Sequence, residues 1–201
     1  MTAIDDMPDT IGGIKMSHSG APSLDDLFER LERMPVPEGY KVEIIEGTVH
    51  MSPQRRTHWK IIRKILRQLE DHFGVDAEID SDVRVDFPGY MNGFAPDLCK
   101  VVEGATPDSK GRFAPKDLEF VAEVISKGTA AHDYGEKLRA YAESEVPVYM
   151  IVDPYVGKCR VYTHPKEHAY RSELTVAFGE SVDLRDTAVG LVLSTEGFPR
   201  D

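Results

Sequence analysis

A carboxylate inside an apolar run is the first residue here that calls for a chemical explanation. Glu123 sits among Phe120, Val121, Ala122, Val124 and Ile125, which read as a strand buried on both faces, where an ionised acid is costly unless paired or bound to a metal. Further on, Asp133, Lys137 and Tyr141 recur at four-residue intervals and so share one face of a following helix. Strand acid and helix stripe together form either a structural ion pair or a catalytic site. A second acid, Asp97, follows Pro96 near the start of another strand, and it shares a face with the apolar Cys99 and Val101. On neighbouring strands two such acids repel each other unless a cation is shared between them. Oxygen ligands of this kind suit Mg²⁺ or Mn²⁺. A nearby Lys137 would then orient a water or stabilise charge developing on a phosphate.

The elements that must position these groups follow from periodicity and punctuation. Residues 1–22 carry Pro, Gly, Ser and Asp with little apolar pattern and are expected to be a flexible leader, with 23–201 as one domain. Ser23 is an N-cap for a short helix whose buried stripe is Leu24, Leu27, Phe28 and Leu31, ended by Pro35, Pro37 and Gly39. The run from Tyr40 to Pro53 reads as a hairpin about Glu46-Gly47. From His58 an amphipathic helix places Ile61, Ile62, Ile65, Leu66 and Leu69 on one side and its bases on the other, stopping at Gly74.

Val75 to Phe87 alternates cleanly and reads as one strand, with a second from Phe94 to Val102. After the Glu123 strand comes a helix over about 131–144, then an apolar strand from Val148 to Val152. A late antiparallel pair turns around His164 to His168, and a last short strand covers Val189 to Leu193. This order predicts an α/β fold, a central mixed sheet flanked by helices.

Composition narrows the class. With 201 residues, 41% hydrophobic and 29% charged content, the chain suits a globular domain, and no apolar run approaches the length needed to span a membrane. The acidic start MTAIDDMPDT lacks the basic and apolar parts of a signal peptide, so the cytoplasm is the expected compartment. Cys99 and Cys159 lie in apolar, strand-like settings and read as buried free thiols. A formal charge of −11 argues against a broad basic nucleic-acid surface, and the bases Arg55, Arg56, Lys60, Arg63, Lys64 and Arg67 gather on one predicted helix.

In combination, Pro96-Asp97, Glu123-Val124-Ile125-Ser126, Asp133-x-x-x-Lys137-x-x-x-Tyr141, Val146-Pro147-x-Tyr149 and Val152-Asp153-Pro154 resemble the Uma-two family of the restriction-endonuclease-like, PD-(D/E)XK superfamily. The entry segment EIIEGTVHMSP, with His58 after it, resembles that family as well, and the likeness runs from about Leu24 to Leu193. It implies a restriction-endonuclease-like fold and Mg²⁺- or Mn²⁺-dependent hydrolysis of DNA phosphodiesters. Asp97, Glu123 and the carbonyl of Val124 would hold the metal, with Glu46 and His58 as further participants. The sequence departs from the superfamily motif at Ile125, where the motif lysine stands. Lys137, on the following helix, is the expected replacement and Lys127 the rival. Two other readings stand beside this one: an inactive nuclease-fold binding domain, and a hydrolase of a small phosphorylated molecule. Nucleases that cut both strands often pair, so a homodimer through the late strands Arg160 to Phe178 is also an expectation.

Overall fold

A computed structural model describes residues 22–36 and 38–201. The leader expected over 1–22 therefore lies, except for its last residue, outside the described part. Helix α1 (Leu24–Glu32) starts as its sequence dictates: the Ser23 hydroxyl accepts from Asp26 N, and the Asp26 carboxylate accepts from Ser23 N in return. The chain then forms the hairpin β1 (Tyr40–Ile45) and β2 (Thr48–Pro53), in register from Tyr40 opposite Pro53 to Ile45 opposite Thr48. Helix α2 (Arg56–Phe73) buries Ile61, Ile62, Ile65 and Leu69 and ends at Gly74, whose φ of 96° glycine adopts freely.

The stretch Val75 to Phe87 is not one strand. It divides into β3 (Ile79–Asp80) and β4 (Val85–Phe87), which belong to different sheets. The break falls at Asp82, held in the left-handed region at φ 59° with its N–H bonded to Pro96 O. The alternation of residue types runs on through the turn, although Ser81 and Asp82 are both exposed and Ile79 and Val85 pack on different cores. Likewise β5 (Asn92–Phe94) and β6 (Leu98–Val101) separate around Pro96-Asp97.

Two sheets carry the architecture. β2-β1-β5-β4 is antiparallel throughout, and the larger sheet runs β10-β9-β8-β7-β6-β3, with β7 (Leu118–Val124), β8 (Val148–Asp153), β9 (Lys158–Lys166) and β10 (Ala169–Ala177). Among the described residues only β7 and β8 pair in parallel, which makes this sheet mixed, as expected. The crossover between them holds α3 (Ala130–Tyr134) and α4 (Glu136–Glu143) in place of one continuous helix. The break is at Gly135 (φ −116°, ψ −97°), where a Cβ would stand 2.9 Å from Ala131 O. A last pair, β11 (Ser181–Asp183) and β12 (Val192–Ser194), closes the chain.

The β7 alternation divides the core. Phe120, Ala122 and Val124 pack with α2, whereas Val121 and Ile125 pack with α4, Phe94 and Ile45 on the other face. Cys99 and Cys159 are both buried and free, and burial pushes each thiol up to about 12. Among the described residues no helix is long and apolar enough to cross a membrane.

Candidate active site

Alternation along β7 aims Glu123 at the α4 face, and the antiparallel register of Leu98 opposite Ala122 brings Asp97 alongside it. Backbone bonds fix the two acids there. Val124 N donates to Asp97 Oδ2 at 2.7 Å and Asp97 N to Glu123 Oε2 at 3.3 Å. Both side chains are almost wholly buried, at 3% and 1% exposure.

The helix stripe arrives intact despite the break at Gly135. Lys137 Nζ lies 2.9 Å from Glu123 Oε1, 2.9 Å from Glu43 Oε2 and 3.2 Å from Asp133 Oδ1. Tyr141 OH donates to the same Glu123 Oε1 at 2.9 Å. A second ammonium, absent from the sequence-based expectations, stands between the acids: Lys41 Nζ donates to Asp97 Oδ1 at 2.6 Å and to Glu123 Oε2 at 3.2 Å. Glu43, two residues along β1, completes the group and accepts from Ala95 N at 3.0 Å through Oε1. Lys41 and Glu43 share one face of β1. An acid and a base alternating with Val42 and Ile44 were the available signal. The family resemblance points instead to Glu46, beyond the end of that strand.

Electrostatics follow from burial and neighbours. Burial would lower the Lys41 ammonium, but Asp97, Glu123 and Glu43 hold it well above its ordinary value. The same opposition, with Glu123, Glu43 and Asp133 as partners, raises Lys137. Burial also works against ionised Glu123, yet Lys137 and Lys41 carry its carboxyl below the usual range. Asp97 is pushed up by burial, with Lys41 pulling it down and Glu123 adding to the rise. Burial drives Asp133 up to about 7, opposed by Lys137, and Asp82 up to about 6, opposed by Lys41. Tyr141 is raised well above its ordinary value, first by burial and then by Glu123, so it stays a neutral donor.

The remaining expected residues divide. His58 is buried at the N-terminal end of α2, its Nε2 3.2 Å from Ser126 Oγ and its Nδ1 with no hydrogen-bond partner among the described residues; burial lowers its pKa. It lines the same cavity as Lys41, Gln54, Asp97, Glu123 and Lys137. Glu46 is not brought to this group: it is half-exposed at φ 49° and pairs with Arg139. Lys127 is exposed and does not line the cavity, and Ile125 is a core residue.

The donor set suits a hard divalent cation. Two carboxylate oxygens on adjacent strands, Asp97 Oδ1 and Glu123 Oε2, already converge on one positive position, filled by Lys41 Nζ. Four acidic side chains (Glu43, Asp97, Glu123 and Asp133) surround two lysines, so the group presents several carboxyl oxygens, the donor type that a hard divalent ion takes. With the lysines interposed, no three acid, His or Cys side chains among the described residues form a ready coordination group.

A family model described as "Uma2: Putative restriction endonuclease" matches residues 27–196. Among solved structures, that of a "putative nuclease belonging to DUF820" from Anabaena variabilis ATCC 29413 superposes with a TM-score of 0.67 at 16% sequence identity, covering 89% of this chain and 97% of that one. A search of curated proteins gives no match. The structural likeness establishes a restriction-endonuclease-like fold, and because the family match takes in most of the chain, this protein belongs to the Uma2 family.

Proposed function

We propose that the protein is a Mg²⁺- or Mn²⁺-dependent endonuclease that hydrolyses DNA phosphodiesters. The observation that carries this reading is the convergence of Asp97 Oδ1 and Glu123 Oε2 on one cation position in the floor of a cavity. Asp97 and Glu123 would hold the metal, with the Val124 carbonyl as a third ligand. A metal bound there supplies Lewis-acid polarisation of the phosphate and a more acidic water.

The surrounding side chains have distinct tasks. Lys137 and Tyr141 fix Glu123 Oε1 and keep that carboxylate ionised. Lys137 thus acts as a held positive charge, since Glu43, Glu123 and Asp133 occupy its ammonium. With a cation held by Asp97 and Glu123, the Lys41 ammonium would be released from their shared position and would be available to pair with a substrate phosphate. His58, kept neutral by burial, offers Nδ1 as a proton acceptor whenever Nε2 carries the ring proton toward Ser126 Oγ.

Two measurements test the reading. Wild type should bind Mn²⁺ by calorimetry and nick supercoiled DNA in its presence, and Asp97→Ala should lose roughly a hundredfold or more of that cleavage. Lys41→Met should bind Mn²⁺ about tenfold more tightly, because the internal competitor is gone. No cleavage by wild type in Mn²⁺, or undiminished cleavage by Asp97→Ala, would sink the nuclease reading. One observation favours a second reading, a nucleic-acid-binding domain without catalysis: Lys41 and Lys137 pair with the same acids that would hold a metal. That reading requires a silent Mn²⁺ titration in both wild type and Lys41→Met.

A further inference from the structure

Helix α2 presents two faces of opposite kind. Ile61, Ile62, Ile65 and Leu69 point into the core, and on the opposite side Arg56, Lys60, Arg63 and Arg67 form an exposed stripe, flanked by Trp59 at 53% exposure. From Arg56 to Arg67 the stripe runs roughly 16 Å, a length over which a nucleic-acid duplex presents about nine phosphate charges.

The bases on this face adjoin one another along a single exposed stripe. Arg33, Arg84, Arg112, Arg139, Arg160 and Arg171 each hold a carboxylate within 4.0 Å. Among the described residues, Arg56, Lys60, Arg63 and Arg67 have no such partner, although acids outnumber lysines and arginines 35 to 24 along the chain. Instead, bases follow one another at i+3 and i+4 (Arg56 and Lys60, Lys60 and Arg63, Arg63 and Arg67), a spacing that destabilises a helix by repulsion. A solvated helix face gains nothing from that arrangement. A polyanion laid against it removes the repulsion.

Position links the stripe to the site. The cavity containing Asp97 and Glu123 is lined by Ser52, Pro53, Gln54 and His58, so the first turn of α2 stands at its rim. Arg56 begins the stripe at that end, and Trp59 follows with an exposed ring able to stack on sugar or base.

We propose that the outward face of α2 is the substrate-docking surface, on which a nucleic-acid backbone lies along Arg56, Lys60, Arg63 and Arg67 with Trp59 beside it. The partner is a phosphodiester polyanion, and its place next to the cavity rests on the nuclease reading above. Nucleic acid held there reaches the acidic site through a basic entry, which reconciles a charge of −11 with such a substrate.

Trp59 is the only tryptophan in the chain, so its emission reports contact at this face and nowhere else. Wild type would be titrated with a fluorescein-labelled DNA duplex in EDTA, following both anisotropy and Trp59 emission over a salt series. The variant combines Arg56→Gln, Lys60→Gln, Arg63→Gln and Arg67→Gln; all four positions are exposed, and glutamine keeps a good helix propensity. Wild type should show saturable quenching of Trp59. In the variant the quenching should disappear, and the slope of log affinity against log salt should fall by about 3–4. Circular dichroism and Mn²⁺ affinity of the variant should match wild type, which keeps fold and metal site out of the comparison. Binding that leaves Trp59 emission unchanged, an unchanged salt slope, or no binding by wild type each overturns the docking surface. If the stripe binds DNA but wild type never cleaves it, the docking surface stands and the catalytic reading fails. If wild type cleaves and the variant cleaves and binds equally well, the reverse holds.

Discussion

Around Glu123 two lysines meet four carboxylates, and around Asp25 two arginines and a lysine meet three. In the first group, formed by Lys41, Lys137, Glu43, Asp97, Glu123 and Asp133, no side chain is more than 8% exposed. In the second, Asp25, Asp86 and Asp108 bind Arg84, Lys110 and Arg112 at the foot of α1, and exposures run from 21% to 54%. Distances are alike in both, from 2.6 Å upward. Water is what separates them. In the buried group each charge has no alternative to its protein partner, whereas in the α1 group solvent replaces any partner removed. Similar ionic geometry therefore stands for a water-excluded cluster in one place, the one to which the proposed function assigns the site, and for a solvated fastening in the other.

The sharpest way to break this contrast is to delete a cation from each group. Lys137→Met leaves Glu123 and Glu43 buried without their main counter-charge and should cost about 3–5 kcal/mol in urea unfolding. A loss below about 1 kcal/mol would mean that water reaches the cluster, and the two regions would then differ in nothing that matters for chemistry.

A smaller effect separates the regions by pH. Asp133 has its folded pKa raised from 3.8 to about 7, chiefly by burial. Between those values the unfolded chain has released this proton and the folded chain keeps it, so the folded state binds more protons. Stability contributed by Asp133 is thus fully present below about pH 4 and is lost as pH rises toward 7, at up to roughly 1.4 kcal/mol per pH unit. Glu123 opposes this only at lower pH, because its folded pKa is depressed and its stabilisation is lost as pH falls through that depressed value. Urea midpoints for wild type and Asp133→Asn should therefore diverge with pH across this window, the variant being flatter. Parallel curves would show that Asp133 is ionised in the fold throughout. Asp25, depressed first by Lys110 and then by Arg84, shapes no such window near neutrality.

What could be read from sequence tracks what sequence encodes locally. Helix α2 was legible from its stripe and its terminal glycine, and the pair Asp97 and Glu123 from acids set in apolar strands. Lys137 was legible because four-residue spacing survives a local break, although the break at Gly135 was not. Non-local facts stayed hidden. That β1 stacks Lys41 and Glu43 over Asp97 depends on β1 pairing with β5, at Ile44 opposite Gly93, a contact no local pattern announces. Glu46 enters as a candidate only through the family resemblance, and its left-handed backbone beside the hairpin glycine directs it to Arg139 at the surface. The alternation from Val75 to Phe87 concealed a change of sheet: the residue types alternate on through Asp82, yet Ser81 and Asp82 are both exposed, and Ile79 packs on one core while Val85 and Phe87 pack on the other.

The smallest expected effect is the most direct check on the contrast. Lys110 binds Asp25 Oδ2 at 2.6 Å, a distance matched by Lys41 and Asp97, yet its side chain is 54% exposed. Asp25 keeps Arg84 and Arg112 when Lys110 is removed, and Phe28 of α1 keeps the Arg84 guanidinium 3.8 Å above its ring. Lys110→Gln should therefore change unfolding free energy by no more than about 0.5 kcal/mol. Raising salt should shrink even that, since the Debye length contracts to about 3 Å at 1 M. The penalty for Lys137→Met should survive the same salt, because ions screen a pair only where they can approach it. A salt-insensitive cost of several kcal/mol for Lys110→Gln would place the α1 network in the same class as the buried one, and burial would no longer distinguish the site from the fastening.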